Sequence, residues 1–218
     1  MTLLSTVIAD LQRATARTDD EAQSLMIRGV NAGVIAAALI YRPGELKTNG
    51  SITAVSTANY ASLSTLSRWM SIDEIQNVTG SCRVWPLEFA ELNTLEVPTT
   101  GNVLFYAIYG NDIHYRPQPA LNETLTVYYF ALPARLTALG DTLPLDDYQD
   151  FILSFAQSFV WASLEEPESS AVWQKLTEMT GIPWKEMTQI RDLLTQQVPY
   201  VRELQTAVSK GIASNPAA

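Results

Sequence analysis

The hydrophobic period of this chain changes twice, and that constrains the fold more than any other feature. Leu4, Val7, Ile8 and Leu11 recur at i, i+3, i+4 and i+7, which predicts an amphipathic helix ending near Arg17. Thr18-Asp19-Asp20-Glu21 then has capping-box spacing, in which the Thr hydroxyl and the Glu carboxylate each satisfy an orphan helix donor. A second helix follows to about Tyr41, with Ala22, Leu25, Met26, Gly29, Gly33 and Ala37 on one stripe. Gly29, Gly33, Ala36 and Ala37 lack bulk there, so another backbone can approach closely. The two helices read as an antiparallel hairpin.

From Gly44 to Pro133 the period shortens, as Thr, Val, Tyr and Ile gather in short runs broken by Asn-Gly, Thr-Gly and Pro. Those are the marks of strands and turns. Residues 103–109 and 112–117 flank a Gly110-Asn111 turn and are followed by 125–130, which predicts a three-strand antiparallel meander. Pro86 to Leu92 predicts a short helix, with Pro86 at its first position.

After Gly140 the helical period resumes. Leu145, Tyr148, Ile152, Phe155, Phe159 and Leu164 form a stripe behind Pro144, with Asp146, Asp147 and Asp150 at the positive end of the dipole. Pro167 opens a further helix that stops near Gly181, and Pro183 opens another that Pro199 kinks, leaving residues 215–218 as a tail. The fold class read from this order is α+β, a helical bundle from N- and C-terminal helices with an inserted antiparallel β-rich module and a C-terminal helical arm. Its segments are the hairpin at 1–43, the insertion at 44–140, a long bundle helix at 141–166 and the arm at 167–218.

Charge and composition narrow the function. Fourteen Lys+Arg against 23 Asp+Glu give −9, the wrong sign for gripping nucleic acid or anionic lipid. At 47% hydrophobic and 17% charged, the chain is neither collagenous nor globally disordered. One cysteine, Cys82, rules out an intrachain disulfide and a Cys-based zinc cage and reads as a small buried hydrophobe. The N-terminus lacks the basic region of a secretion signal, and the apolar run Val30 to Tyr41 falls short of the ~20 residues of a bilayer span.

Chemical motifs are sparse. The lone histidine, His114, would share a strand face with Asp112, but no G-x-S-x-G elbow supplies a nucleophile, so it reads as a hairpin residue with a hydrogen-bonded imidazole. Carboxylates cluster at Asp19-Asp20-Glu21, Asp146-Asp147-Asp150 and Glu165-Glu166-Glu168; each cluster lies at a helix end, and at two of them the dipole accounts for the acids. Phosphate-loop, dinucleotide, zinc-hydrolase and C-x-x-C spacings are missing, so no catalytic, cofactor or metal site is assigned. Of five tryptophans, Trp161 reads as core, whereas Trp173 and Trp184 fall on helices beyond the main bundle, where they either pack on another chain or pack within their own.

The order of parts resembles the head-to-tail adaptor (connector) proteins of tailed bacteriophages. The likeness is carried by Ile27-Arg28-Gly29-Val30-Asn31-Ala32, by residues 109–119 (YGNDIHYRPQP), by 124–133 (TLTVYYFALP) and by 141–148 (DTLPLDDY), within a pattern covering most of 1–166. From Gly181 onward no pattern matches. The resemblance implies a non-enzymatic virion protein, made in the host cytoplasm, that needs no cofactor and contacts no membrane. It implies a homo-oligomeric ring, a dodecamer, between the portal protein and the tail (nozzle or tail-tube) proteins, with genomic DNA passing through unbound. The C-terminal region would reach the portal or a neighbouring subunit, which makes Trp173, Trp184, Met187, Ile190, Leu194, Tyr200, Val201 and Leu204 the candidate interface. An acidic lumen would repel phosphate and let the duplex slide; alternatively, the charge only keeps the subunit soluble.

Two rival readings compete with the adaptor. In one, Phe105, Tyr106, Tyr109, Tyr115, Tyr128, Tyr129 and Phe130 form an aromatic platform for sugar or peptide on a stand-alone binding module. In the other, the Asp146 to Asp150 cluster works with Asp112 or His114 as an acid/base hydrolase.

Overall fold

The computed structural model describes residues 2–163 and 169–183, together with Glu186 and Gln189. Among the described residues the fold is α+β, with five α-helices and one mixed seven-stranded sheet. The chain forms two compact units, Met1–Pro43 with Pro133–Ala218, and Gly44–Leu132.

In the helical unit, α1 (Leu4–Thr15) buries the expected Leu4, Val7, Ile8 and Leu11. Its N-cap, Leu3, has no side-chain acceptor to offer. The orphan N–H groups of Leu4 and Ser5 donate instead to the carbonyls of Asp141 (2.9 Å) and Leu139 (3.0 Å). The second helix, α2 (Asp20–Tyr41), is capped one residue later than the sequence predicts: the Asp19 carboxylate, not the Thr18 hydroxyl, accepts from Ala22 N at 2.8 Å. Asp and Thr both satisfy a free helix donor, so the spacing alone did not separate them.

The small-residue stripe of α2 meets α4 (Gln149–Ser163). A Cβ on Gly33 would stand 2.9 Å from the Ile152 carbonyl oxygen, and one on Gly29 would stand 3.1 Å from that of Ala156. The two backbones therefore touch, and Phe151, Ile152, Phe155 and Val160 are buried beside the contact. Each such side chain stabilises the fold by roughly 1.5–3 kcal/mol. At 22 residues, α2 is long and apolar enough to cross a membrane by length and composition. The apolar run is thus longer than Val30 to Tyr41, and burial of more than half of it inside the protein accounts for its hydropathy.

Asn31 explains part of the sequence likeness. Its side chain donates to Leu136 O (2.9 Å) and accepts from Leu136 N (2.8 Å), pairing with a main-chain segment as a strand would. The long helix starts later than its stripe suggests. Leu145 sits at φ +62, so a 3-10 turn at Asp146–Tyr148 precedes α4. Trp161 is half-buried, not core. The last described helix, α5 (Ser169–Thr180), packs on α4 and buries Val172 and Leu176 before Gly181 turns the chain at φ +69.

The β unit corrects two expectations. Its strands are β1 (Lys47–Ala54), β2 (Tyr60–Ser62), β3 (Trp69–Asn77), β4 (Cys82–Pro86), β5 (Phe105–Tyr109), β6 (Asp112–Arg116) and β7 (Glu123–Ala131), in the spatial order β1-β7-β3-β4-β5-β6-β2. The β5–β6 hairpin forms around Gly110 (φ +64) and Asn111. No three-strand meander follows, because β7 pairs with β1 and β3, while the free side of β6 pairs with β2. Pro117 and Pro119 cannot donate to a ladder, so β6 stops and the chain crosses before β7 begins. The sheet is mixed, not antiparallel: β4 and β5 run parallel. Helix α3 (Phe89–Thr94) lies in the connection of more than a dozen residues that a parallel crossover requires. Its N-cap is Glu88, in a capping box with Glu91, and Pro86 ends β4 where the sequence had placed it as a helix start.

The sheet curls until β1 and β2 meet, around a core of Ile52, Ile75, Val84, Ile113, Tyr115, Leu125, Val127 and Tyr129 with Leu63 and Leu66. The Tyr115 hydroxyl accepts from Val55 N at 3.0 Å, and burial, opposed by that bond, raises its pKa. Glu123 is also buried. Its carboxylate accepts from Asn77 Nδ2 (2.6 Å) and Val103 N (3.0 Å). Cys82 is half-buried with its thiol 3.7 Å from Val103 O, and burial, then the Glu123 charge, pushes it up.

Candidate interaction surfaces

Side-chain alternation gives the β unit two dissimilar outer faces. Along β1, β7 and β3 the outward residues are polar: Ser51 opposes Thr126, which opposes Gln76, and Asn49 opposes Tyr128, which opposes Glu74. Along β4, β5, β6 and β2 they are largely aromatic and cationic. Arg83 and Trp85, Phe105 and Tyr109, His114 and Arg116, and Tyr60 all leave the core side, because Val84, Tyr106, Ile113, Tyr115 and Ala61 occupy it.

Helix α3 lies on this second face. Phe89 stacks on Tyr109 (centroids 4.5 Å apart) and meets His114 edge-on at 5.0 Å, while Tyr60 lies 5.7 Å from the same imidazole. Tyr60 and Tyr109 remain 51% and 60% exposed, and Trp85 remains 53% exposed with the Arg83 guanidinium 4.8 Å from its ring. Exposed Trp, Tyr and Arg together have the composition of a contact surface.

The aromatic platform expected from sequence does not exist as one face. Tyr106, Tyr115 and Tyr129 point into the core, and Tyr128 lies on the polar face. An odd residue spacing on a strand reverses a side chain, which composition does not show. The acid/base reading fares no better. Asp112 and His114 share a face with Ser62, but the Ser62 hydroxyl is bonded to Ser64 Oγ (3.0 Å), and His114 lies among rings. Asp146 accepts from Thr2 N at 3.0 Å, and its pKa is lowered by bonding to Thr2. No group of three or more His, Cys, Asp and Glu that could hold a metal occurs among the described residues.

Of the arm residues singled out from sequence, Trp173 lies on α5, and nothing is described of its side chain. Trp184, Met187, Ile190, Leu194, Tyr200, Val201 and Leu204 lie outside the described residues. Sequence reasoning missed the Trp85, Tyr60 and Phe89 surface. The only signal was Trp85 next to Pro86, a strand end with its aromatic residue on the odd parity.

A helical unit with a β-rich unit inserted in it, one face of whose sheet exposes Trp85, Tyr60 and Tyr109, has the two-unit α+β organisation expected of an adaptor. The SU10 adaptor protein family matches residues 1–198, and the chain belongs to that family of phage head-to-tail adaptors. It is therefore a structural protein of the phage particle, in a family not known for enzymes. No curated protein matches the chain.

Proposed function

We propose that the protein forms a homo-oligomeric ring, a dodecamer, between the portal and the tail proteins and continues the DNA channel. The observation that carries this reading is the family match over residues 1–198. In the ring, the 1–43 hairpin and the 141–166 helix make the bundle, 44–140 is the inserted module, and 167–218 is the arm that reaches the portal or a neighbour. Trp173, Trp184, Met187, Ile190, Leu194, Tyr200, Val201 and Leu204 would bear on that contact. The net charge of −9 suits a channel that must not hold the duplex, because acids facing a lumen repel phosphate.

The test is the mass of the purified protein by light scattering, alone and after mixing with the portal protein of the same phage. A defined ring on the portal supports the reading, and no association under any packing-like condition overturns it.

A further inference from the structure

Helix α3 is six residues long, well under the ~12–15 at which a helix persists alone in water, so its contacts with β5 and β6 decide how firmly it stands. Leu92 anchors it by burial. Its other anchor is Phe89, whose ring stacks on Tyr109 and meets His114. Phe89 thereby sets α3 against the only histidine in the chain.

Three rings from three elements surround that imidazole. Phe89 of α3 lies 5.0 Å away at 72°, Tyr60 of β2 lies 5.7 Å away at 32°, and Tyr109 of β5 lies 6.3 Å away at 74°. Tyr60 is the cross-strand partner of His114, so the β2–β6 ladder fixes its place. The charged groups around the cluster come from two elements. On β6, Asp112 and Arg116 stand two residues to either side of His114 on the same face and are opposite in sign. On α3, the carboxylates of Glu88 and Glu91 each accept a main-chain N–H in the capping box. Strands β2 and β5 bring no charged residue, only Tyr60 and Tyr109.

We propose that His114 is a pH-sensitive latch for α3. Protonated, it is a cation among three rings, and a cation within about 6 Å of a ring centre is drawn to the negative face of the ring. Phe89 and Tyr60 lie inside that distance. A positive His114 also attracts Glu88 and Glu91, so rings and acids on α3 pull in the same sense. Neutral, the same imidazole packs without either attraction, and α3 is held less tightly. Histidine is the side chain that ordinarily changes charge near neutral pH, so the latch works in that range. The aromatic face accordingly has two states, with α3 clamped over Tyr109 in mild acid and loosened in mild alkali. This device does not depend on the ring reading above.

The test is amide hydrogen exchange of the full chain over residues 89–94, corrected for intrinsic rates, at about pH 5.5 and about pH 8, either side of the imidazole range. Protection should be about threefold greater at the lower pH, the size of a partly exposed cation–π attraction, while the β1–β7 amides serve as the reference. His114→Phe keeps a ring but cannot take up the proton, so its protection should be equal at the two pH values. Phe89→Leu keeps an apolar anchor and should shrink the ratio, as should Tyr60→Leu at an exposed position of β2. Equal protection in the wild type, greater protection at the higher pH, or an undiminished ratio in His114→Phe overturns the latch. If circular dichroism shows His114→Phe unfolded, Tyr60→Leu decides alone, and an undiminished ratio there overturns it. Loss of the whole ratio in Asp112→Asn would trace the effect to an ion pair on β6 and refute the proposal.

Discussion

The carboxylate of Asp141 holds the turn whose carbonyls close the start of α1. Its Oδ2 accepts from Thr137 N (2.7 Å) and Ala138 N (2.9 Å), and these bonds, Ala138 first, hold its pKa below the usual carboxylate value of 3.8. Asp146 is lowered as well, by Thr2. Because the unfolded chain takes up these protons first, their stabilisation is complete above the unfolded value and is lost as pH falls through the folded one. The melting temperature should therefore drop as pH falls from 5 to 3, and Asp141→Asn should flatten that drop; an unchanged slope in the variant would remove Asp141 from the account. Asn31 is the second critical residue. Replacing it with Ala leaves Leu136 N and O without their partner, at a cost of roughly 1–3 kcal/mol that denaturant unfolding would measure. Glu123 should behave similarly: Glu123→Gln keeps an acceptor for Val103 N, whereas Glu123→Ala does not, so the second variant should be the less stable in the same assay.

At the level of elements, the contact between α2 and α4 depends on two missing side chains. Gly33→Ala sets a Cβ against a backbone carbonyl that no rotamer change can move, so overpacking of about 1–3 kcal/mol outweighs the gain of about 1 kcal/mol in helix propensity. The melting temperature should fall by about 2–4 °C per kcal/mol. Gly44→Ala, with nothing within 4 Å, should leave it unchanged. These helices were legible because a buried stripe repeats at one period: Leu4 to Leu11, Ala22 to Ala37 and Ile152 to Phe159 all lie where the period puts them. Strand pairing was less legible. The β5–β6 hairpin is local and has its turn residues, whereas β7 pairs with strands about fifty and eighty residues away, which no local pattern encodes. Starts of elements slipped by a residue or more where two residues served the same purpose, as with Thr18 and Asp19. The contact surface was the least legible part, because exposure of Trp85 and burial of Tyr115 follow from strand parity and from α3 lying on one face.

For the whole molecule, charge would set the condition under which the proposed ring assembles. Copies that each carry −9 repel, and salt screens that repulsion over a Debye length of about 8 Å at physiological ionic strength. Ring formation on the portal should accordingly rise with ionic strength between low and physiological salt, as light scattering in a salt series would report. A fall would mean that attractive ion pairs dominate the contact. The topology of the β unit has a separate consequence. Its chain enters at Lys47 and leaves at Phe130, cross-strand partners whose α-carbons in an antiparallel pair stand about 5 Å apart. A few flexible residues could bridge so short a gap. The two ends thus make a two-point graft, and excising the unit there should leave the helical unit able to fold, as circular dichroism of the shortened chain would report.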